Sequence, residues 1–159
     1  MILKLRIDDR LLHGQIAYSW KSALSYQAIV IANDKAASDE FRKGVIKMCC
    51  PEGVKLAVRS VEEAAQLLNN PKLKEMKVFA ICANPMDAER LLKLIEERPA
   101  VNLGGVQMAQ GRRRFSNAVY LNEEELMALD EIVSKGYTVE VQEVPATAMT
   151  KYEDIRRKM

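Results

Sequence analysis

The sequence predicts an α/β fold: an open, mostly parallel sheet covered by helices on both faces, with the functional loop after the first strand and the C-terminal strand at an edge. Three observations predict it. Apolar runs of five to seven residues alternate with amphipathic helical stretches almost to the end of the chain. Some of these runs, such as Ala28 to Ala32, are apolar throughout, as strands buried on both faces are. The runs also end in polar or glycine loops, which a parallel sheet gathers along one edge: Asp8 to His13, Asn33-Asp34, Asn84-Pro85 and Gly104-Gly105.

Taken in order, Ile2 to Ile7 reads as the first strand. Gly14 to Leu24 follows as a helix with Ile16, Trp20 and Leu24 on one face. Ala28 to Ala32 is a strand, and Ser38 to Cys50 a helix stopped by Pro51. Val54 to Val58 is the third strand. Ser60-Val-Glu-Glu63 is a capping box for a helix to Leu68, and Pro71 ends that region. Lys77 to Cys82 leads into Asn84-Pro85, an N-cap with proline at the first helical position, for a helix to about Glu97. Val101 to Leu103 is a short strand before Gly104-Gly105, and Gln110 to Arg114 is a basic, irregular stretch. Ala118 to Leu121 reads as a strand, and Asn122 to Glu125 starts a helix to Ser134 that Gly136 ends. Tyr137 to Val144 is a last alternating strand, expected at an edge, and Thr147 to Lys158 a terminal helix.

A length of 159 residues favours one domain, spanning residues 1–159. Hydrophobic residues make up 48% of the chain, enough for a real core. The net charge of +2 is too balanced to argue for nucleic acid or a membrane surface. Cys49, Cys50 and Cys82 form no paired framework and read as reduced thiols of a cytosolic protein. There is neither a signal peptide nor a transmembrane run, so membrane association is expected only through a partner.

The stretch R-I-D-D-R-L-L-H-G-Q, Arg6 to Gln15, concentrates the chemistry. It holds two arginines, two aspartates and His13, the one histidine of the chain. A neutral imidazole nitrogen is a good nucleophile near pH 7, and a phosphoryl group on it forms a labile phosphoramidate. Arg10 would offer a planar fork to the phosphoryl oxygens. Gly14 would let backbone N–H groups approach, and the helix N-terminus would add its dipole. Asp8 and Asp9 are suited to holding Arg10 or Arg6, or to accepting the second imidazole N–H. Structural readings compete. His13 beside glycine also reads as a surface histidine, the aspartates as a cap and a solvated acid, and Arg6 as an outward strand residue. Gly104-Gly105 also reads as a tight turn, and Arg112 to Arg114 as a solvated run.

Other chemistries lack their residues. One histidine with scattered cysteines has no zinc-ligand spacing. Neither a G-x-S-x-G elbow nor a G-x-x-x-x-G-K-[ST] loop occurs, and no G-x-G-x-x-G follows the first strand.

Arg6 to Gln15 closely resembles the active-site signature of the IIB subunits of the mannose/fructose/sorbose family of the bacterial phosphoenolpyruvate:sugar phosphotransferase system. Further similarities follow in order: Ala32-Asn-Asp34 with Ser38-Asp-x-Phe-Arg-Lys43, Pro51-x-Gly-Val-Lys55, Asn84-Pro85, Asn102-Leu-Gly-Gly105 and Val141-Gln-Glu-Val-Pro145. Val106 stands where this family often has Met, so the basic stretch after it inherits no role.

The resemblance implies that His13 is phosphorylated on Nδ1 by a phosphohistidine of a separate IIA protein. It then passes the group to a sugar carried by the membrane IIC and IID subunits. Arg10, Gly14 and Arg6 are expected at the phosphate, with Asp8, Asp9, Gln15, Asn33 and Asp34 in support. Neither a metal nor an organic cofactor is implied, and no nucleic acid. A homodimer is left open. The expected location is cytoplasmic, peripheral to the inner face of the cell membrane through IIC and IID. Two alternatives remain: a non-catalytic α/β module that binds a phosphorylated ligand or partner, and a sugar-phosphate isomerase or mutase using His13 with Asp8, Asp9 or Asp34.

Overall fold

The computed structural model describes residues 1–159. Strand β1 (Ile2–Asp8) leads through the charged loop into α1 (Gly14–Leu24), the helix bounds the periodicity predicts. Then come β2 (Ala28–Ala32), α2 (Asp34–Ala37), α3 (Glu40–Cys49), β3 (Lys55–Arg59), α4 (Val61–Leu68) and α5 (Pro71–Lys74). After β4 (Val78–Cys82) and α6 (Pro85–Leu94) follow β5 (Val101–Gly105), β6 (Arg113–Ser116), β7 (Val119–Leu121) and α7 (Glu123–Ser134). The chain closes with β8 (Val139–Val141), β9 (Thr150–Lys151) and α8 (Tyr152–Arg156).

Seven strands form one sheet in the order β3-β2-β4-β1-β5-β8-β9. All neighbours are parallel except β8 and β9. Strand β1 is central, paired with β4 on one side and β5 on the other, and the loop after it therefore opens at the middle of the sheet edge. In β2 the side chains alternate: Val30 joins the core under α4, α6 and α7, while Ile29 and Ile31 join the core under α1 and α3. Both faces are thus covered, which is why β2 is apolar throughout. No helix is long and apolar enough to cross a membrane.

Several boundaries differ from expectation for local reasons. The stretch Ser38 to Cys50 is divided. Asn33 caps α2, and Asp39 then caps α3 by accepting the Arg42 N–H at 3.1 Å. Pro71 opens a helix instead of closing a region: it sits at the first position of α5 behind the Asn70 cap. Part of the basic stretch is ordered, because Arg113–Ser116 pairs antiparallel with β7 in a separate two-stranded hairpin. The strand within Tyr137 to Val144 is not itself the edge. The two-residue β9 pairs outside β8 and shortens the expected terminal helix to Tyr152–Arg156.

Candidate active site

The loop after β1 is anchored by its apolar residues. Leu11 and Leu12 are 0% and 3% exposed and pack with Ile16 and Trp20 under α1. Leu11 has φ +58°, a left-handed conformation that a leucine adopts only where its surroundings enforce it. Its N–H donates to the Asp8 carbonyl at 2.9 Å, closing a tight turn that leads to His13. His13 is the residue before the first turn of α1 and makes no side-chain cap bond there. The first turn carries no acidic residue, and Gly14 enters it at φ +21°. Its leading N–H groups are consequently free to meet an anion.

Asp8 ties the loop to the protein interior. Its carboxylate is fully buried, and Oδ2 lies 3.0 Å from His13 Nε2. The same oxygen accepts from Arg6 Nε and Nη2 at 3.2 and 3.0 Å, while Oδ1 accepts the Arg10 backbone N–H at 3.0 Å. Burial alone would raise the Asp8 carboxyl. The hydrogen bond from His13, the Arg6 charge and the Arg10 N–H outweigh it and hold it below the usual carboxylate range. Asp8 is therefore an acceptor, Nε2 carries the ring proton, and the free lone pair of a neutral imidazole is on Nδ1. Nδ1 makes no hydrogen bond within the chain.

Arg6 is corrected from a phosphate ligand or outward strand residue to a buried strut. It is 0% exposed, with every donor nitrogen committed to the protein. Besides Asp8, its Nη1 donates to Asn102 Oδ1 at 2.8 Å and to the Glu143 carbonyl at 2.9 Å. Burial lowers its pKa, and the Asp8 charge opposes that shift. No face of the guanidinium remains for an external phosphoryl group. Gly104-Gly105 is likewise not merely a turn. It ends β5, and the missing side chains admit Arg6 and Asp8. Asn102 completes the strut by donating from Nδ2 to the Gln142 carbonyl at 3.0 Å.

Arg10 keeps its fork free. Its side chain is 46% exposed, and the one charged partner is Asp8 Oδ1 at 4.0 Å. Gln15 is exposed on the first turn of α1. Asp9 turns sideways: Oδ2 accepts the Gln107 N–H at 2.8 Å, and Arg112 Nη1 stands 3.5 Å away. Asn33 and Asp34 lie along the same sheet edge but serve the scaffold. Asn33 caps α2, while Asp34 accepts the Val61 N–H at 2.9 Å and pairs with Arg90. No group of three or more His, Cys, Asp and Glu side chains is gathered to hold a metal ion. Sequence reasoning missed Asn102, Gln107 and Arg112. A polar residue inside the apolar run of β5 was the available signal for Asn102, since a doubly covered strand must give it a partner.

The model of the family described as PTS system sorbose subfamily IIB component matches residues 2–159. The chain belongs to this family.

Within it, the chain is 31% identical over 139 residues to the sorbose-specific EIIB component of Klebsiella pneumoniae, covering 87% of this chain and 85% of that protein. It is 29% identical over 158 residues to the fructose-specific EIIB component of Bacillus subtilis, covering 99% and 97%. To the mannose-specific EIIAB component of Escherichia coli it is 33% identical over 154 residues, which is 97% of this chain but 48% of that protein. It thus spans about half the length of the mannose-specific relatives it matches. Among solved structures, the fold is similar to the IIBSor domain of the sorbose permease from Klebsiella pneumoniae, with a TM-score of 0.94, 28% identity, and 100% of this chain and 98% of that chain covered. It is also similar to manxB from Thermoanaerobacter tengcongensis, with a TM-score of 0.90, 32% identity, and 99% and 96% covered.

Proposed function

We propose that residues 1–159 act as one IIB phosphocarrier domain in which His13 Nδ1 takes a phosphoryl group from a phosphohistidine of a IIA protein and passes it to a sugar. The reading rests on one observation above all: the buried Asp8 carboxylate holds His13 Nε2 at 3.0 Å and so leaves the lone pair on Nδ1.

In the first step the Nδ1 lone pair attacks phosphorus, the new N–P bond forms, and the N–P bond to the donor imidazole breaks. The modified ring gains positive character. Asp8 stabilises it through the Nε2–H, and Asp8 is in turn held by Arg6. Arg10 and the leading N–H groups of α1 receive the equatorial oxygens, so catalysis is mostly positioning and charge stabilisation. In the second step a sugar hydroxyl attacks phosphorus, the Nδ1–P bond breaks with its electron pair returning to Nδ1, and the hydroxyl proton passes to solvent. Arg10, Gly14 and His13 form the phosphate site. Asp8, Asp9 and Arg6 support it, and Gln15 borders it. The family points to a separate IIA protein as donor and to membrane IIC and IID subunits that carry the sugar and hold the domain at the inner face of the cell membrane.

The test is intact mass after incubation with phosphoenolpyruvate, enzyme I, HPr and IIA proteins of this family, kept out of acid. A gain of one phosphoryl group in the wild type and none in His13→Ala is expected. Uptake by the mutant, or none by the wild type from any phosphorylated IIA, would overturn the reading and leave a module that only binds.

A further inference from the structure

Beside the His13 loop, the segment after β5 is held by a second set of charges. Gln107 is gripped at both ends of its own backbone: its N–H donates to Asp9 Oδ2 at 2.8 Å, and its carbonyl accepts from Arg112 Nη1 at 2.8 Å. Arg112 is fixed from behind by Glu125, which is 1% exposed and accepts from Arg112 Nε and Nη2 at 3.1 and 2.8 Å. Glu125 also caps α7 by accepting the Asn122 N–H at 2.9 Å, so the clamp is tied to a full helix. Gln107 and Met108 line the same cleft as Arg10.

From this geometry we infer that Arg112 is a positioning residue for phosphoryl transfer, locking the segment after β5 to the Asp9-Arg10 turn so that the Arg10 fork meets the His13 phosphoryl group in one fixed geometry. The inference rests on the phosphocarrier reading. Its physical basis is the charge count of the clamp. Arg112 stands between two carboxylates, Asp9 and Glu125. Asp9 Oδ1 is buried with no partner of its own. Without the guanidinium, two carboxylates would share a poorly solvated space, and the Asp9 turn would move outward to hydrate them. Such a shift would carry Arg10, the next residue, away from its place. A misplacement of only about 1 Å at a reacting centre can slow a step by about a hundredfold. Arginine is suited to the task because its planar fork meets Glu125 through two nitrogens while the third reaches Gln107 and Asp9.

The experiment compares wild type, Arg112→Lys, Arg112→Gln, Asp9→Asn and the double variant Asp9→Asn/Arg112→Gln. Transfer is followed by rapid quench at varied concentrations of a phosphorylated IIA protein. The expected result is a fall in kcat of about tenfold in Arg112→Gln, with KM changed less than about twofold, and an intermediate value in Arg112→Lys. The double variant should be no slower than the slower single one, because both residues act through Gln107. Amide hydrogen exchange on the unphosphorylated proteins should show Gln107 losing protection in the Arg112 variants while α7 keeps its own. An unchanged kcat, a loss confined to KM, or single effects that multiply in the double variant would overturn the inference. Should Arg112→Gln not fold, Arg112→Lys and Asp9→Asn carry the same comparison. A wild type that accepts no phosphoryl group would instead overturn the phosphocarrier reading, while the exchange measurement still tests the clamp.

Discussion

A Cβ placed on Gly104 would stand 2.2 Å from the guanidinium carbon of Arg6. The glycine at the end of β5 and the arginine on β1 are two halves of one fitting. The arginine is fully buried and holds Asp8, which holds His13. The glycine's absent side chain is therefore part of what orients the histidine, although it lies a whole strand away from it.

Gly104→Ala should cost about 3 kcal/mol of stability or prevent folding, since Arg6 has no solvent side to which it can retreat. Urea unfolding followed by circular dichroism measures this. A loss below about 0.5 kcal/mol would show that the strut repacks easily.

Asp8→Asn should destabilise at neutral pH by about 3 kcal/mol, because the Arg6 charge is left buried without its partner. The pH dependence has a definite sign. The Asp8 carboxyl is held below its ordinary value in the folded protein. Its contribution is thus fully present above the unfolded value near about pH 4 and is lost as pH falls through the lower folded value. The stability gap between wild type and Asp8→Asn should narrow in that acid range, as urea titrations at stepped pH would record.

Arg10→Lys should leave stability within about 0.5 kcal/mol, because the side chain is 46% exposed and its one charged partner is at 4.0 Å. Transfer from a phosphorylated IIA protein should nevertheless slow by about tenfold, a fork having been replaced by a point charge. An unchanged rate in rapid quench would move the phosphate contact to the helix N–H groups alone.

Asp34→Ala separates scaffold from site. It removes the acceptor for the Val61 N–H and the partner of Arg90, so stability should fall by about 1 kcal/mol. Phosphoryl transfer should remain within about twofold of wild type. A larger rate loss at equal folded fraction would return Asp34 to the site.

Much of this was legible in the sequence where one local signal decided the outcome. Gly14–Leu24 followed from its apolar face, and Asn84 and Asn122 from the caps they make. The placement of Asp8 between Arg6 and the second imidazole nitrogen was among the readings the loop allowed. What stayed hidden depended on contacts between distant strands. In a sheet covered on both faces, a charged residue such as Arg6 reads as outward, because nothing nearby announces Asn102 or the Glu143 carbonyl waiting for it. Gly104-Gly105 looked like a turn for the same reason: the atom that forbids a side chain lies about a hundred positions away in the chain. Arg112 resembled its exposed neighbour Arg113, and only its distant partners, the buried Glu125, the Gln107 carbonyl and Asp9, distinguish them.

The central position of β1 has a consequence for how the protein breathes. A strand bonded on both sides cannot exchange its amide hydrogens until a neighbour has left, whereas β3 and β9, at the two margins, can fray alone. Deuterium uptake should therefore advance from the margins and reach Leu5 and Ile7 last. The histidine is thus hung from the strand expected to open last, while the supports of Arg6 on β5 and after β8 lie nearer the margin that frays first.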